Sequence, residues 1–259
     1  MIVFYVLSFF YGAAIGSFVQ VVATRLNVAP IANAKSKCLS CGEALRVSDL
    51  IPIFSYLILK GKCRYCKVPY GIDALFVESV FGIIFALLFH FMLLGQPLTH
   101  AMLWLAYYTL LFISLGVIAL YDLKHTYIPT LFLSLFSFLS FAMLAIRFAY
   151  AHNTLVLLGP IVVALPFLLI WLISKGKALG FGDVILYLAV GAFFGVEQGL
   201  AVLLLSIWLG ALVGVMMYLS RKKKGNANTA IPFVPFIVTA FLIVLFTDMD
   251  VFSLVSIFA

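Results

Sequence analysis

Residues 1–25 read MIVFYVLSFFYGAAIGSFVQVVATR, and the order of apolar and charged residues in them decides the class of fold. No charged side chain occurs from Met1 to Ala23; the first is Arg25. An apolar run of this length is what a helix needs to cross a hydrocarbon core about 30 Å thick. A secretory signal peptide carries its positive residues before the apolar core, not after it. Ala32-Asn33-Ala34 has the small-residue pattern of a cleavage site, but no basic region precedes the apolar run. The preferred reading is a first spanning helix with its N-terminus outside and Arg25 inside.

The rest of the chain repeats this pattern. Of its 259 residues, 66% are hydrophobic and 10% charged. Soluble domains have about 45–50% apolar and about 25% charged residues. The composition excludes a soluble enzyme, a disordered chain and a nucleic-acid-binding module. Outer-membrane barrel strands alternate polar and apolar residues, whereas these runs are apolar on all faces. Further apolar segments fall at roughly 73–94, 101–121, 130–149, 154–174, 183–196, 199–219 and 233–252. The expected fold is an all-α polytopic membrane protein of about eight transmembrane helices, with a small cytoplasmic segment after the first. Within that segment, Leu50 to Leu59 is apolar but too short to span, and reads as a buried strand, a short helix or an interfacial piece.

The charges orient the chain. Short cytoplasmic loops collect Lys and Arg. With the N-terminus outside, the inner loops hold every Lys and Arg except Arg147, including Lys124, Lys175, Lys177 and Arg221 to Lys224. The opposite orientation would place nearly all of them outside. Both termini are therefore expected outside.

Only nine acids occur, so each can be considered. Glu43 and Asp49 sit in the polar segment, and Asp73 and Glu78 at the start of the second apolar stretch. Glu197, Asp248 and Asp250 lie at the outer face. Asp122 and Asp183 remain, both at inner ends of apolar helices. Ionisable groups near the bilayer core are costly and mark function by default. Singly, Asp122 reads equally well as a partner of Lys124 or a cap, and Asp183 as an N-terminal acid favoured by the helix dipole. Together, two carboxylates sharing one site resist ionising both, which yields an acid and a base able to activate water without a metal. Gly180 and Gly182 precede Asp183 and leave its backbone unencumbered.

The four cysteines form a second constellation, Cys38-x-x-Cys41 and Cys63-x-x-Cys66. Four thiolates suit tetrahedral zinc in a closed, structural site, and a reducing compartment disfavours disulfides. Unmetallated thiols or reversible disulfides are the alternative. A polar segment of this size needs such a staple to fold. Gly42 and Gly61 flank the pairs and permit tight turns.

In this order the motifs resemble the type IV prepilin peptidases, aspartic enzymes of the GxGD type. The resemblance runs from Gly16-Ser17-Phe18 through Cys38-x-x-Cys41-Gly42, Asp49-Leu50-Ile51-Pro52 and Gly61-Lys62-Cys63-Arg64-x-Cys66. It continues in Val77-Glu78, Asp122 with Ile128-Pro129, Gly180-x-Gly182-Asp183 and Ile231-Pro232-Phe233-x-Pro235-Phe236. It implies an enzyme of the bacterial inner membrane that removes the leader of type IV prepilins or pseudopilins after a glycine, on the cytoplasmic side. Asp122 and Asp183 fall on the catalytic aspartates. The cysteine-bearing segment implies a second activity, N-methylation of the new N-terminus with S-adenosylmethionine. Gly61 and Glu78 match positions tied to it.

The resemblance also implies a division into a first helix (1–25), a tetra-cysteine cytoplasmic domain (26–72) and a seven-helix peptidase domain (73–259). Partners are the prepilin substrates and membrane lipids. Three positions depart from the family pattern: Ile185, Thr130 and Val234. The rival reading is an ion-coupled transporter whose paired aspartates bind a cation, although no inverted repeat is visible. A non-catalytic scaffold with a zinc knuckle would leave the GxGD element unused.

Overall fold

The computed structural model describes residues 1–28, 36–38, 40–151, 154–177, 179–221 and 232–256. Ala32 to Ala34, Lys35, Lys222 to Lys224 and Ile231 lie outside them. Ten helices are named in chain order: α1 Ile2–Arg25, α2 Phe54–Leu59, α3 Asp73–Leu88, α4 Leu98–His125, α5 Thr130–Ala151, α6 Gly159–Ser174, α7 Phe181–Phe194, α8 Val196–Arg221, α9 Val234–Thr247 and α10 Val251–Ser256. Among the described residues β-structure is confined to two isolated antiparallel bridges, Lys37 with Ala44 and Lys62 with Pro69. The chain is an all-α, multi-pass membrane protein.

Among the described residues the expected eight spans appear as six helices long and apolar enough to cross a bilayer and two shorter apolar ones, α7 and α9. Fourteen residues rise about 21 Å, short of the hydrocarbon thickness. The apolar stretch read as 233–252 is broken in two. Asp248 turns into the left-handed region (φ 56°) and ends α9. Asp250 then caps α10, accepting the Ser253 N–H at 2.7 Å. The stretch read as 101–121 continues as helix to His125, so Asp122 stands inside α4.

Two compact units divide the chain, Met1–Ile113 and Ser114–Ala259. In the first, α1 packs along α3 through glycines. A Cβ on Gly16 would lie 2.9 Å from the Phe81 side chain, and one on Gly82 would lie 2.7 Å from the Phe9 ring. Without a hydrophobic drive between helices in lipid, such close approach supplies the attraction. Polar contacts add to it: the Ser8 hydroxyl donates to the Phe85 carbonyl at 2.7 Å.

In the second unit α7 is the central helix. It contacts α5, α6 and α8. Its side chains from Val184 to Phe194 are almost all buried. α6 meets α7 backbone to backbone, because a Cβ on Gly159 would sit 2.5 Å from the Gly191 carbonyl oxygen. Gly195 (φ 82°) then lets α8 begin at once.

Candidate functional site

The second unit brings Asp122 and Asp183 to one end of its bundle. Asp122 lies in the last turn of α4 and is buried, 6% exposed. One carboxylate oxygen accepts the N–H of Val234, the first residue of α9, at 3.1 Å. The first N–H groups of any helix lack intrahelical partners and carry the positive end of its dipole. α9 therefore fixes the Asp122 carboxylate, and this explains the Pro232-Phe233-Val234-Pro235 motif: Pro235, in the first turn, has no N–H to satisfy.

Asp183 is the third residue of α7, half-buried, its N–H donating to the Gly180 carbonyl at 3.2 Å. It is close enough for the Asp122 charge to act on its carboxyl. The two glycines before it act differently. A Cβ on Gly182 would meet the Ile128 side chain at 3.2–3.3 Å, so Gly182 is filled by the chain itself. At Gly180 a Cβ would touch only the Asp183 carboxylate, at an ordinary 3.4 Å. One turn beyond Asp183, the Tyr187 hydroxyl pairs with the Ser206 hydroxyl at 2.5 Å, and its ring stacks on Phe167 at 4.1 Å. Both aromatic residues are buried. Of the departures, Val234 is buried with its N–H on Asp122, Thr130 starts α5 at the surface, and Ile185 is half-buried on α7.

The first unit holds the cysteines. Their four Sγ atoms all lie within 4.8 Å of one another, and Cys38 is 3.8 Å from Cys66. Zinc bonded to four sulfurs at about 2.3 Å needs sulfur separations of roughly 3.8 Å. Two similar turns present the pairs. Cys38 donates its N–H to Glu43 and receives that of Gly42; Cys63 donates to Val68 and receives that of Lys67. Gly42 (φ 73°) and Lys67 (φ 59°) are the matching left-handed residues. Gly61 thus does not form the second cysteine turn. The N–H groups of Cys41 and Ser40 hold the Cys38 thiol below the usual thiol range, while burial and the neighbouring thiols push Cys41 up to about 11.

Beside the thiols lies a cavity of about 490 Å³, lined in part by Ser17, Asp49, Tyr56, Arg64, Tyr70 and Glu78. Gly61 shapes it. Its carbonyl accepts the Tyr70 N–H at 2.9 Å, and a Cβ there would lie 2.8 Å from the Tyr56 hydroxyl oxygen. Tyr56 and Tyr70 meet edge to face, 5.6 Å between ring centroids. Arg64 donates through Nε and Nη2 to one Asp49 oxygen, at 2.9 and 2.5 Å, and holds that carboxyl below the usual carboxylate range. Glu78 is buried on α3 and accepts the Ile53 N–H at 2.7 Å, and it lines the cavity together with Ser17. The sequence did not mark Ser17, Tyr56 or Tyr70 as parts of one site. Ser17 stands in the Gly16-Ser17-Phe18 motif of the resemblance and Tyr56 in Ser55-Tyr56-Leu57, but the spacing of the three residues is long and nothing local joins them in one site.

The fold and the two clusters define a multi-pass membrane protein with one paired-carboxylate site and one tetra-thiol site. Residues 10–92 match the bacterial peptidase A24 N-terminal domain, and residues 109–215 match the type IV leader peptidase family. A prepilin leader peptidase/N-methyltransferase of Myxococcus xanthus is 31% identical over 230 residues, 86% of this chain and 65% of that protein. Proteins of the same name from Legionella pneumophila and Pseudomonas aeruginosa are each 30% identical. They cover 82% and 79% of this chain and 72% and 69% of their own lengths. No solved structure matches. The chain belongs to the type IV leader peptidase family. Nothing in these likenesses supports the transporter reading.

Proposed function

We propose that the protein is an aspartic endopeptidase of the bacterial inner membrane that removes the leader of type IV prepilins or pseudopilins after a glycine. In the same reading it N-methylates the residue thus exposed. The observation that carries the peptidase reading is the fixed Asp122 carboxylate, capped on α9 with Asp183 close enough to feel its charge. One carboxylate takes a proton from water while the other, protonated, donates to the scissile carbonyl oxygen. The proton then passes to the leaving amine. Gly182 closes α7 onto Ile128, and Gly180 leaves room at the Asp183 carboxylate. The site faces the cytoplasm and both termini lie outside, because this orientation keeps the basic loops inside.

The cysteines fit a structural zinc ion, held by Cys38, Cys41, Cys63 and Cys66 with no position left for water. The cavity beside them fits the methyl donor. Its volume is within the range of small-molecule sites. S-adenosylmethionine is a cation with an aromatic base, and acids beside aromatic rings suit both features. Asp49, Tyr56, Tyr70 and Glu78 would hold it, with Gly61 clearing the space beside Tyr56. When bound it supplies an electrophilic methyl group; the residues of this chain bind it and screen it from water. The proposed division is a first helix (1–25), a tetra-cysteine domain (26–72) and a peptidase domain (73–259).

The test is mass spectrometry of a prepilin incubated with the protein in vesicles with S-adenosylmethionine. The expected product has lost its leader and gained one methyl group. A prepilin left intact by the zinc-loaded, folded protein would sink the peptidase reading. Cleavage without methylation would sink only the second activity.

A further inference from the structure

Apart from Tyr56, which faces the cavity, the apolar run Leu50–Leu59 is given no role in the chemistry proposed above, and its place in the first unit is unusual. It begins beside the Asp49–Arg64 ion pair and ends at Lys60, so both of its ends return to polar surroundings. Between them the chain reaches far along α1. The Phe54 ring stacks on Phe10, 5.2 Å between centroids and 19° apart. Phe10 lies 15 residues before Arg25, about 22 Å along the helix at 1.5 Å per residue. On α3 the partner of neighbouring Phe9 is Gly82, about 13 Å in from Asp73. α1 and α3 are both membrane spans. A residue that stacks on Phe10 is therefore at hydrocarbon depth.

Two further observations agree. α2 leaves Phe54, Leu57 and Ile58 uncovered; Leu57 is 60% and Ile58 72% exposed. In water this would be an unfavourable patch, whereas the same unit bares Leu7 on α1 and Phe76 and Ile83 on α3, the lipid-facing residues of true spans. Donors at the entry to α2 are met inside the protein. Pro52 has no N–H. Ile53 donates to the Glu78 carboxylate, Phe54 to the Pro52 carbonyl and Ser55 to the Ile51 carbonyl. Non-helical backbone survives at membrane depth only when its polar groups are met inside the protein. Ile53, a β-branched residue at φ 64°, is held in a costly conformation by that bond to a buried acid.

We infer that residues 50–59 form a re-entrant segment whose helix α2 enters the hydrocarbon from the Arg25 end of α1, with Phe54, Leu57 and Ile58 against lipid acyl chains. Glu78 is the positioning residue that accepts its first donor. The inference rests on α1 and α3 crossing the membrane and not on the peptidase or methyltransferase chemistry.

The experiment reconstitutes the intact protein in vesicles whose phosphatidylcholine carries a diazirine in its acyl chain. After irradiation, adducts are mapped by peptide mass spectrometry. Trypsin cuts after Arg46 and Lys60, so one peptide reports the whole segment. Acyl adducts on Leu57 or Ile58, at a level comparable with exposed residues of α1, are expected. Adducts on α1 and α3 with none between residues 50 and 59 would overturn the inference. As a second measurement, Ile58→Asp removes no buried contact. It is expected to lower the thermal midpoint in vesicles by several degrees, and an unchanged midpoint would also overturn it.

Discussion

The two sites are built in opposite ways. The thiol site comes from one short stretch of chain, two similar turns that each present a Cys-x-x-Cys pair, and its geometry is held by local hydrogen bonds. The carboxylate site is assembled from three helices whose contributions lie far apart in sequence: Asp122 ending α4, Asp183 opening α7 and the Val234 N–H opening α9. A site made of turns has little core and depends on a ligand to hold it. A site made of helix ends inherits its rigidity from packed side chains, here the buried face of α7. The first should fail when its metal is removed, the second only when packing or charge is altered.

The largest effect that would sharpen this contrast is at the dyad. Asp122→Asn or Asp183→Asn should reduce leader removal by at least ~10²–10⁴-fold, the usual contribution of a positioned acid or base. Zinc content should be unchanged. Near-normal cleavage by both variants, measured on the same prepilin, would remove the catalytic assignment. Cys63→Ser should act in the converse way. Cys63 is the buried member of the tetrad. Its loss should weaken zinc binding by more than the ~10–100-fold typical of changes around a metal site, while cleavage persists. Elemental analysis together with a cleavage assay reads both. If cleavage and zinc disappear together, the two regions are not independent.

A finer pair of substitutions separates the glycines. Gly182→Ala pushes a methyl group against Ile128, for which overpacking costs about 1–3 kcal/mol. Displacing Asp183 by a fraction of an ångström should slow cleavage by roughly 10–100-fold. Gly180→Ala meets only an ordinary contact and has an unstrained backbone (φ −71°). Its cleavage rate should stay near wild type. Equal loss in both variants would mean that the loop serves the substrate and not the packing of Ile128.

The same contrast explains what was legible in the sequence. Cys38, Cys41, Cys63 and Cys66 announce their cluster because ligand spacing is a local property, and the structure brings all four together. The run of apolar segments is equally plain, since hydropathy needs no partner. Asp122 and Asp183 stood out only because acids are so rare in this chain. What fixes Asp122, the Val234 N–H, was invisible, because an unpaired helix donor leaves no mark in residue identity. The break at Asp248 was missed for a related reason: the surrounding residues are apolar enough to continue, and a left-handed turn at an aspartate is decided by local backbone geometry. Gly61 stands beside Lys62-Cys63 and reads as a knuckle glycine, but Lys67 occupies that conformation and Gly61 serves the Tyr56–Tyr70 contact instead.

The smallest expected effect lies in the ion pair beside the thiols, and it divides electrostatic support from metal support. The Asp49 side chain is 2% exposed and Arg64 36%. Removing Arg64 leaves the Asp49 carboxylate short of its two guanidinium donors, so the segment is expected to lose stability. The pH dependence follows from the direction in which Arg64 moves Asp49. The folded carboxyl is held below its unfolded value of about 3.9. The unfolded segment thus binds more protons than the folded one in that range, and stability rises with pH there. The contribution is fully present above the unfolded value and is lost as pH falls through the folded one. Zinc release by thiol protonation weakens the segment in the same direction, so a single acid titration cannot separate the two. The difference between wild type and Asp49→Asn can, since both keep the cysteines. Measured as resistance of the cysteine segment to proteolysis, that difference should be constant above about pH 5 and shrink once the pH drops below about 3.9. A difference independent of pH would mean that Asp49 acts through shape, with Arg64 contributing no charge stabilisation.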